Sequence, residues 1–138
     1  MFRQYSLNRL LILFVTAGFL FLTVDAVLEH WKIFAQEIWA YVPVVFSAIG
    51  CIISAVTVVR WEKRLIRLMH ATLVAAFIIS AAGLYFHIAE EDITELTGAQ
   101  LEHEQKEKEK PLLAPLSFAG LAAVGLLGTS RKWQAEVV

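Results

Sequence analysis

Asp25, Glu29 and His30 stand near the end of one apolar run, and His87 and Glu91 stand at the end of another. Carboxylates and imidazoles are ligands for first-row transition metals, and a set drawn from two helices is what a site inside a bundle requires. On a helix, Asp25 and Glu29 lie about 40° apart on one face, whereas His30 follows Glu29 by about 100°. His87 and Glu91 repeat the four-residue spacing, with Glu90 as the alternative partner. Asp25 is the most demanding of the set. The apolar or small residues from Leu10 to Val24 number 15 and cover about 22 Å of a bilayer core approximately 30 Å thick. A carboxylate at that depth calls for a cation, a proton or a hydrated pocket. The apolar runs contain no Lys or Arg, which leaves the histidines, a metal ion or a proton as its partners.

Apolar residues make up 58% of the 138 positions and charged residues 18%, and the mean hydropathy is positive, a membrane composition rather than a soluble one. Four apolar runs, roughly 10–28, 39–59, 69–88 and 111–129, each approach the ~20 residues that cross a bilayer. The expected fold is all-α: a single transmembrane domain over residues 1–138, built as a four-helix up-down-up-down bundle. The one sizeable polar segment, residues 90–110, is expected outside as a solvated helical extension or loop. His103 between Glu102 and Glu104 offers metal ligands there without a rigid frame.

Charge orients the bundle. Arg3, Arg9, Arg60, Lys63, Arg64, Arg67, Arg131 and Lys132 all fall on one side of this threading, accompanied only by Glu62 and Glu136 among the acids. The positive-inside rule makes that side cytoplasmic, together with both termini. Trp31, Trp39, Tyr41 and Tyr85 near one boundary, and Tyr5, Trp61 and Trp133 near the other, fit interfacial aromatic belts. His70 reads as an interfacial histidine of the cytoplasmic side. The first run also mimics a secretory signal, but retaining it gives the complete four-span bundle.

Because the first and third helices both run outward, their C-terminal ends share the outer face, and His30 and His87 come to similar depth. Asp25, His30 and His87 are the expected core of a site, with Glu29 and Glu91 in support. Three functions compete. A membrane-embedded Zn, Fe, Mn or Cu site for metal handling or redox accounts for both acids and imidazoles. Haem b with His30 and His87 as axial ligands would leave the carboxylates unused. A non-catalytic accessory or assembly subunit fits the small size and the stripe Thr72, Ala76 and Ser80, which lets another helix approach closely, either in a membrane partner or in a second copy. Catalytic equipment is sparse: there is no Gly-rich phosphate loop, no His-Glu-x-x-His and no Cys-x-x-Cys-His. A single Cys51 beside Gly50 fits helix packing, and the basic turn 60–67 signals topology rather than nucleic acid.

Glu29-His30, Pro43, Gly83-x-Tyr85-x-His87, Leu113-Ala114-Pro115 and Gly125-Leu126-Leu127-Gly128 together resemble a group of small bacterial four-span membrane proteins without an assigned activity. In that group an acid precedes a Gly-His pair on the first helix and a histidine closes the third. The matching positions are Asp25 or Glu29, His30 and His87; Glu29 stands where the glycine would be. The resemblance implies a bacterial inner-membrane location and supplies no substrate.

Overall fold

The computed structural model describes residues 6–32, 34–96 and 113–130, and regular structure among them is entirely helical. Helix α1 covers Leu7–His30, a 3₁₀ turn covers Ile38–Ala40, and α2, α3 and α4 cover Tyr41–Val59, Lys63–Leu96 and Leu113–Thr129. Ser6 starts α1: its Oγ accepts from the Arg9 amide at 3.3 Å, as a serine N-cap does. The helix therefore begins before the apolar run.

Among the described residues, three stretches are long and apolar enough to cross a membrane: Leu7–His30, Ile38–Val59 and Lys63–Phe86. The fourth is shorter than the expected 111–129. Its apolar helix is Pro115–Thr129, about 22 Å long at 1.5 Å per residue, with Pro115 in the first turn of α4, where a missing amide hydrogen does little harm. Helix α3 differs in the other direction. At 34 residues it is about 51 Å long and takes in the second part of the basic turn, from Lys63, and the start of the polar segment. The reason is local: residues 63–69 and 90–96 contain neither Gly nor Pro and are rich in good helix formers. Residues 97–110, with His103, lie outside the described residues.

The most extensive interfaces are α1 with α2 and α3 with α4; α1 also packs on α4, and α2 meets α3 more thinly. Each of the three larger pairs runs antiparallel. Arg9 reaches Val58 and Thr23 reaches Ser47; His70 reaches Thr129 and Ser80 reaches Pro115; Gly18 faces Leu121 and Gly128 faces Leu11. Neither α1 with α3 nor α2 with α4 forms a principal contact, so each of these pairs lies across the bundle. Three rings, Phe19, Phe46 and Phe118, meet at 6.3 to 6.5 Å between centroids and tie α1, α2 and α4 together. Below them Met69, Leu73, Val15 and Ile12 are fully buried.

The polarity of the helix faces is inverted relative to a soluble bundle. On α2 the buried residues are Ser47, Gly50, Ser54, Thr57 and Val58, while Val45, Ile49, Ile52, Val56 and Val59 are exposed. The buried hydroxyls bond within their own helix: Ser54 to the Cys51 carbonyl at 3.0 Å, Thr57 to Ile53 at 2.7 Å and Thr72 to Leu68 at 2.9 Å. Small and self-satisfied side chains bring helix backbones together where water supplies no driving force, and the apolar residues are left for the surroundings. The stripe Thr72, Ala76 and Ser80 is buried, and Ser80 donates to the Pro115 carbonyl. Cys51 is half-buried, its thiol directed at the Thr16 carbonyl at 3.8 Å.

Candidate functional site

His30 is the last residue of α1, and its environment is specific. Its Nδ1 lies 2.9 Å from the Ala26 carbonyl, a side-chain bond back onto the last turn of its own helix. The ring stacks on Phe34 at 6.4 Å, and Phe34 stacks on Tyr41 at 4.6 Å. The Phe34 amide also donates to the His30 carbonyl at 3.1 Å. This ladder folds the chain from α1 into α2. With Nδ1–H donating to a carbonyl, the neutral ring presents Nε2 as its free acceptor, the arrangement common to metal-bound histidines.

Asp25 and Glu29 lie on a different flank. Leu11, Gly18 and Asp25 are spaced by seven residues, so they share one face of α1, and both Leu11 and Gly18 abut α4. Thr16 and Thr23 mark the face that meets α2, and His30, seven residues beyond Thr23, belongs to it. Asp25 and His30 are thus about 140° apart around the helix. Asp25 is half-buried and Glu29 exposed, and Asp25 has no hydrogen bond or ion pair among the described residues. A shallow depression beside Glu29 is lined by Val27, Leu28, Trp31 and Lys32.

Register fixes the levels. Gly18 faces Leu121 and Gly83 faces Pro115, so Asp25, seven residues on from Gly18, is level with Ala114 in the first turn of α4 and with Leu84 of α3. Five residues further, His30 is level with Ala89, which leaves the backbones of His30 and His87 within about 3 Å of one another along the bundle axis. They stand on opposite walls. With neighbouring helices 8 to 10 Å apart, diagonal axes are separated by about 11 to 14 Å. The side chains of His87, Glu90 and Glu91 lie outside the described residues. Among the described residues, no group of three or more His, Cys, Asp or Glu is gathered.

The opposite end is closed by a residue that charge counting alone treats as a topology signal. Arg9 donates from Nε to the Val58 carbonyl at 2.6 Å and from a terminal nitrogen to the Val59 carbonyl at 2.9 Å, and its guanidinium lies 5.9 Å from the Trp61 ring centroid. A cation on the last carbonyls of α2 complements the negative helix end. The sequence signal for this was the position of Arg9, one turn inside an antiparallel neighbour. His70 is exposed, and its Nδ1 lies 2.9 Å from the Thr129 hydroxyl. The same hydroxyl lies 3.2 Å from the Gly125 carbonyl, so His70 ties α3 to the end of α4.

Comparison of the chain with known protein families, with curated proteins and with solved structures finds no match.

Proposed function

We propose that the chain is an integral membrane protein of the bacterial inner membrane, threaded up-down-up-down with both termini cytoplasmic, that holds a transition metal at its outer end. The inverted polarity of α2, with Ser47, Ser54 and Thr57 inside and Ile49, Ile52 and Val56 outside, supports the membrane environment. Trp31 and Trp39, 73% and 78% exposed beside the end of α1, suit an interfacial belt.

The metal reading is carried by His30. Its Nδ1 is engaged by Ala26, which leaves Nε2 as the ligand, at the level of His87 on the opposite wall. Glu29 and Glu91 are the carboxylates that the sequence offers to such a site, whereas Asp25 lies on the flank that meets α4. A bound ion would supply Lewis acidity or a redox couple, and the chain's own part is to fix the imidazole tautomer. The test is elemental analysis of protein purified without chelator, alongside a His30→Ala variant. The expected result is near-stoichiometric Zn, Fe, Mn or Cu that His30→Ala lacks. A Soret band would give the site to haem b, and protein without bound metal would refute both.

The competing reading, a non-catalytic accessory or assembly subunit, draws on the packed interior. Ile12, Val15, Phe19, Met69 and Leu73 are fully buried, so a path along the bundle axis would have to displace them. Co-purification of a stoichiometric membrane partner that leaves with the outer acidic residues would favour it.

A further inference from the structure

Four cations stand together where α2 gives way to α3, and no described residue supplies an anion for them. The side chains of Arg60, Lys63, Arg64 and Arg67 are exposed, and among the described residues none makes an ion pair or hydrogen bond. Glu62 is also exposed and pairs with none of them. Arg9, by contrast, is engaged by the α2 carbonyls.

The placement of two of these cations defines the shape of the missing partner. Lys63, Arg67, Ala71, Val74 and Ile78 follow one another at spacings of four and three, so they form one stripe along α3, and every one of them is exposed. The stripe is cationic at one end and apolar beyond it. From Arg67 to Ile78 it runs 11 residues, about 16 Å, close to half of a hydrocarbon core approximately 30 Å thick. A ligand that matches it carries a negative charge at one end and about one leaflet's length of hydrocarbon at the other. A soluble acidic peptide or a free phosphate would satisfy only the charged end.

We infer that this face of α3 binds an anionic phospholipid, its phosphate held by Lys63 and Arg67 with Arg60 and Arg64 adjacent, and its acyl chain laid along Ala71, Val74 and Ile78. The inference rests on the membrane reading above. It adds a preference among lipids, which spanning alone does not require: clustered Lys and Arg beside a membrane helix attract acidic headgroups at roughly fivefold per cation.

The test uses the full chain with its four tryptophans changed to Phe and a single reporter, Ala71→Trp, reconstituted in vesicles of symmetric composition so that insertion direction has no bearing on the result. Fluorescence quenching by acyl-brominated phosphatidylglycerol is compared with quenching by acyl-brominated phosphatidylcholine at equal mole fraction. The expected result is a severalfold preference for phosphatidylglycerol that collapses toward unity in 1 M salt, where the screening length is about 3 Å, and in the Lys63→Gln/Arg67→Gln variant. Equal quenching by the two lipids would overturn the lipid site and leave the membrane reading standing. No quenching by either would overturn the membrane reading itself. A preference undiminished in the double variant would remove the site from this face.

Discussion

The two ends of the bundle use charge in opposite ways. At the Arg9 end a cation is spent inside the molecule: its guanidinium closes α2 through the Val58 and Val59 carbonyls and lies over Trp61, while His70 clasps Thr129. At the His30 end the imidazole bonds back onto its own helix at Ala26, but Asp25 and Glu29 are not paired with any described residue. Packing is tight from the Arg9 end to the middle of the bundle, where a Cβ at Gly18 would collide with Leu121. A side chain added at Gly128 would meet Leu11, Ile12 and the Asn8 carbonyl, and one at Gly125 would meet Leu73 at 2.5 Å. Nearer the His30 end, Gly83 has only ordinary contact with Pro115, whereas Gly120, beside Leu121 at mid-bundle, has nothing within 4 Å because it lies on the exposed face of α4. Among the described residues, one end is fastened by Arg9 and His70 and the carboxylates of the other are unpaired, a division that stability measurements and metal analysis can attack separately.

Arg9→Met should produce the largest loss. The substitution keeps an apolar stem but removes two hydrogen bonds from a charged donor, each worth about 1.5 to 3 kcal/mol where water is scarce, and a cation–π contact of about 0.5 to 1 kcal/mol. Because the released carbonyls can take water at the bundle end, a net loss of about 2 to 3 kcal/mol is expected, read as an earlier midpoint in SDS titration of the reconstituted protein. A midpoint unchanged from wild type would remove the fastener and with it half of the contrast.

Two alanine substitutions at mid-bundle set the packed interior against the exposed face of α4, with opposite signs. A Cβ at Gly50 would lie 2.9 to 3.0 Å from three atoms of the Phe19 ring, and that ring is fully buried between Phe46 and Phe118. Overpacking of about 1 to 3 kcal/mol then outweighs the ~1 kcal/mol gain in helix propensity. Gly120→Ala meets no neighbour, so the propensity gain stands alone and the protein should become more stable by up to about 1 kcal/mol. The same SDS titration reads both. Loss of stability in Gly120→Ala would mean that the exposed face of α4 is covered by another helix in the assembled protein.

Much of the fold was legible because apolar runs of membrane length are hard to mistake. The first two helices fall where hydropathy puts them, and the Thr72, Ala76 and Ser80 stripe does bring α4 close. What was not legible depends on partners distant in sequence. Arg9 and Val59 are 50 residues apart, and the grip of one on the other follows only from the antiparallel register of α1 and α2. The length of α3 was understated because charge at residues 63–67 and 90–96 reads as a boundary, although the same Lys, Arg and Glu residues are good helix formers. At the candidate site the sequence correctly separates His30 from Glu29 around the helix, but which flank each would occupy depended on where α2 and α4 pack. Phe34, four residues past His30, carried a spacing signal for the ring ladder that a turn-rich connection disguised.

The smallest expected effect decides the role of Asp25. Its level with Ala114 places it beside the first turn of α4, where the amides of Leu113 and Ala114 have no partner within the helix and Pro115 has none to offer. A carboxylate there is favoured by the positive helix end by about 0.3 to 1 kcal/mol, rising toward ~2 when partly buried. Asp25→Asn keeps the shape and an acceptor oxygen but removes the charge, so the SDS midpoint should fall by no more than about 1 kcal/mol. The metal content should stay at the wild-type level, because Asp25 lies on the flank of α1 that meets α4, about 140° around the helix from His30. Asp25→Leu, which removes the acceptor as well, should be less stable than Asp25→Asn. If Asp25→Asn instead folds normally but loses its metal, Asp25 is a ligand, α1 must unwind after Glu29 to turn both groups onto one ion, and the flank assignment at this end fails. If both substitutions leave stability untouched and metal bound, α4 owes nothing to this carboxylate.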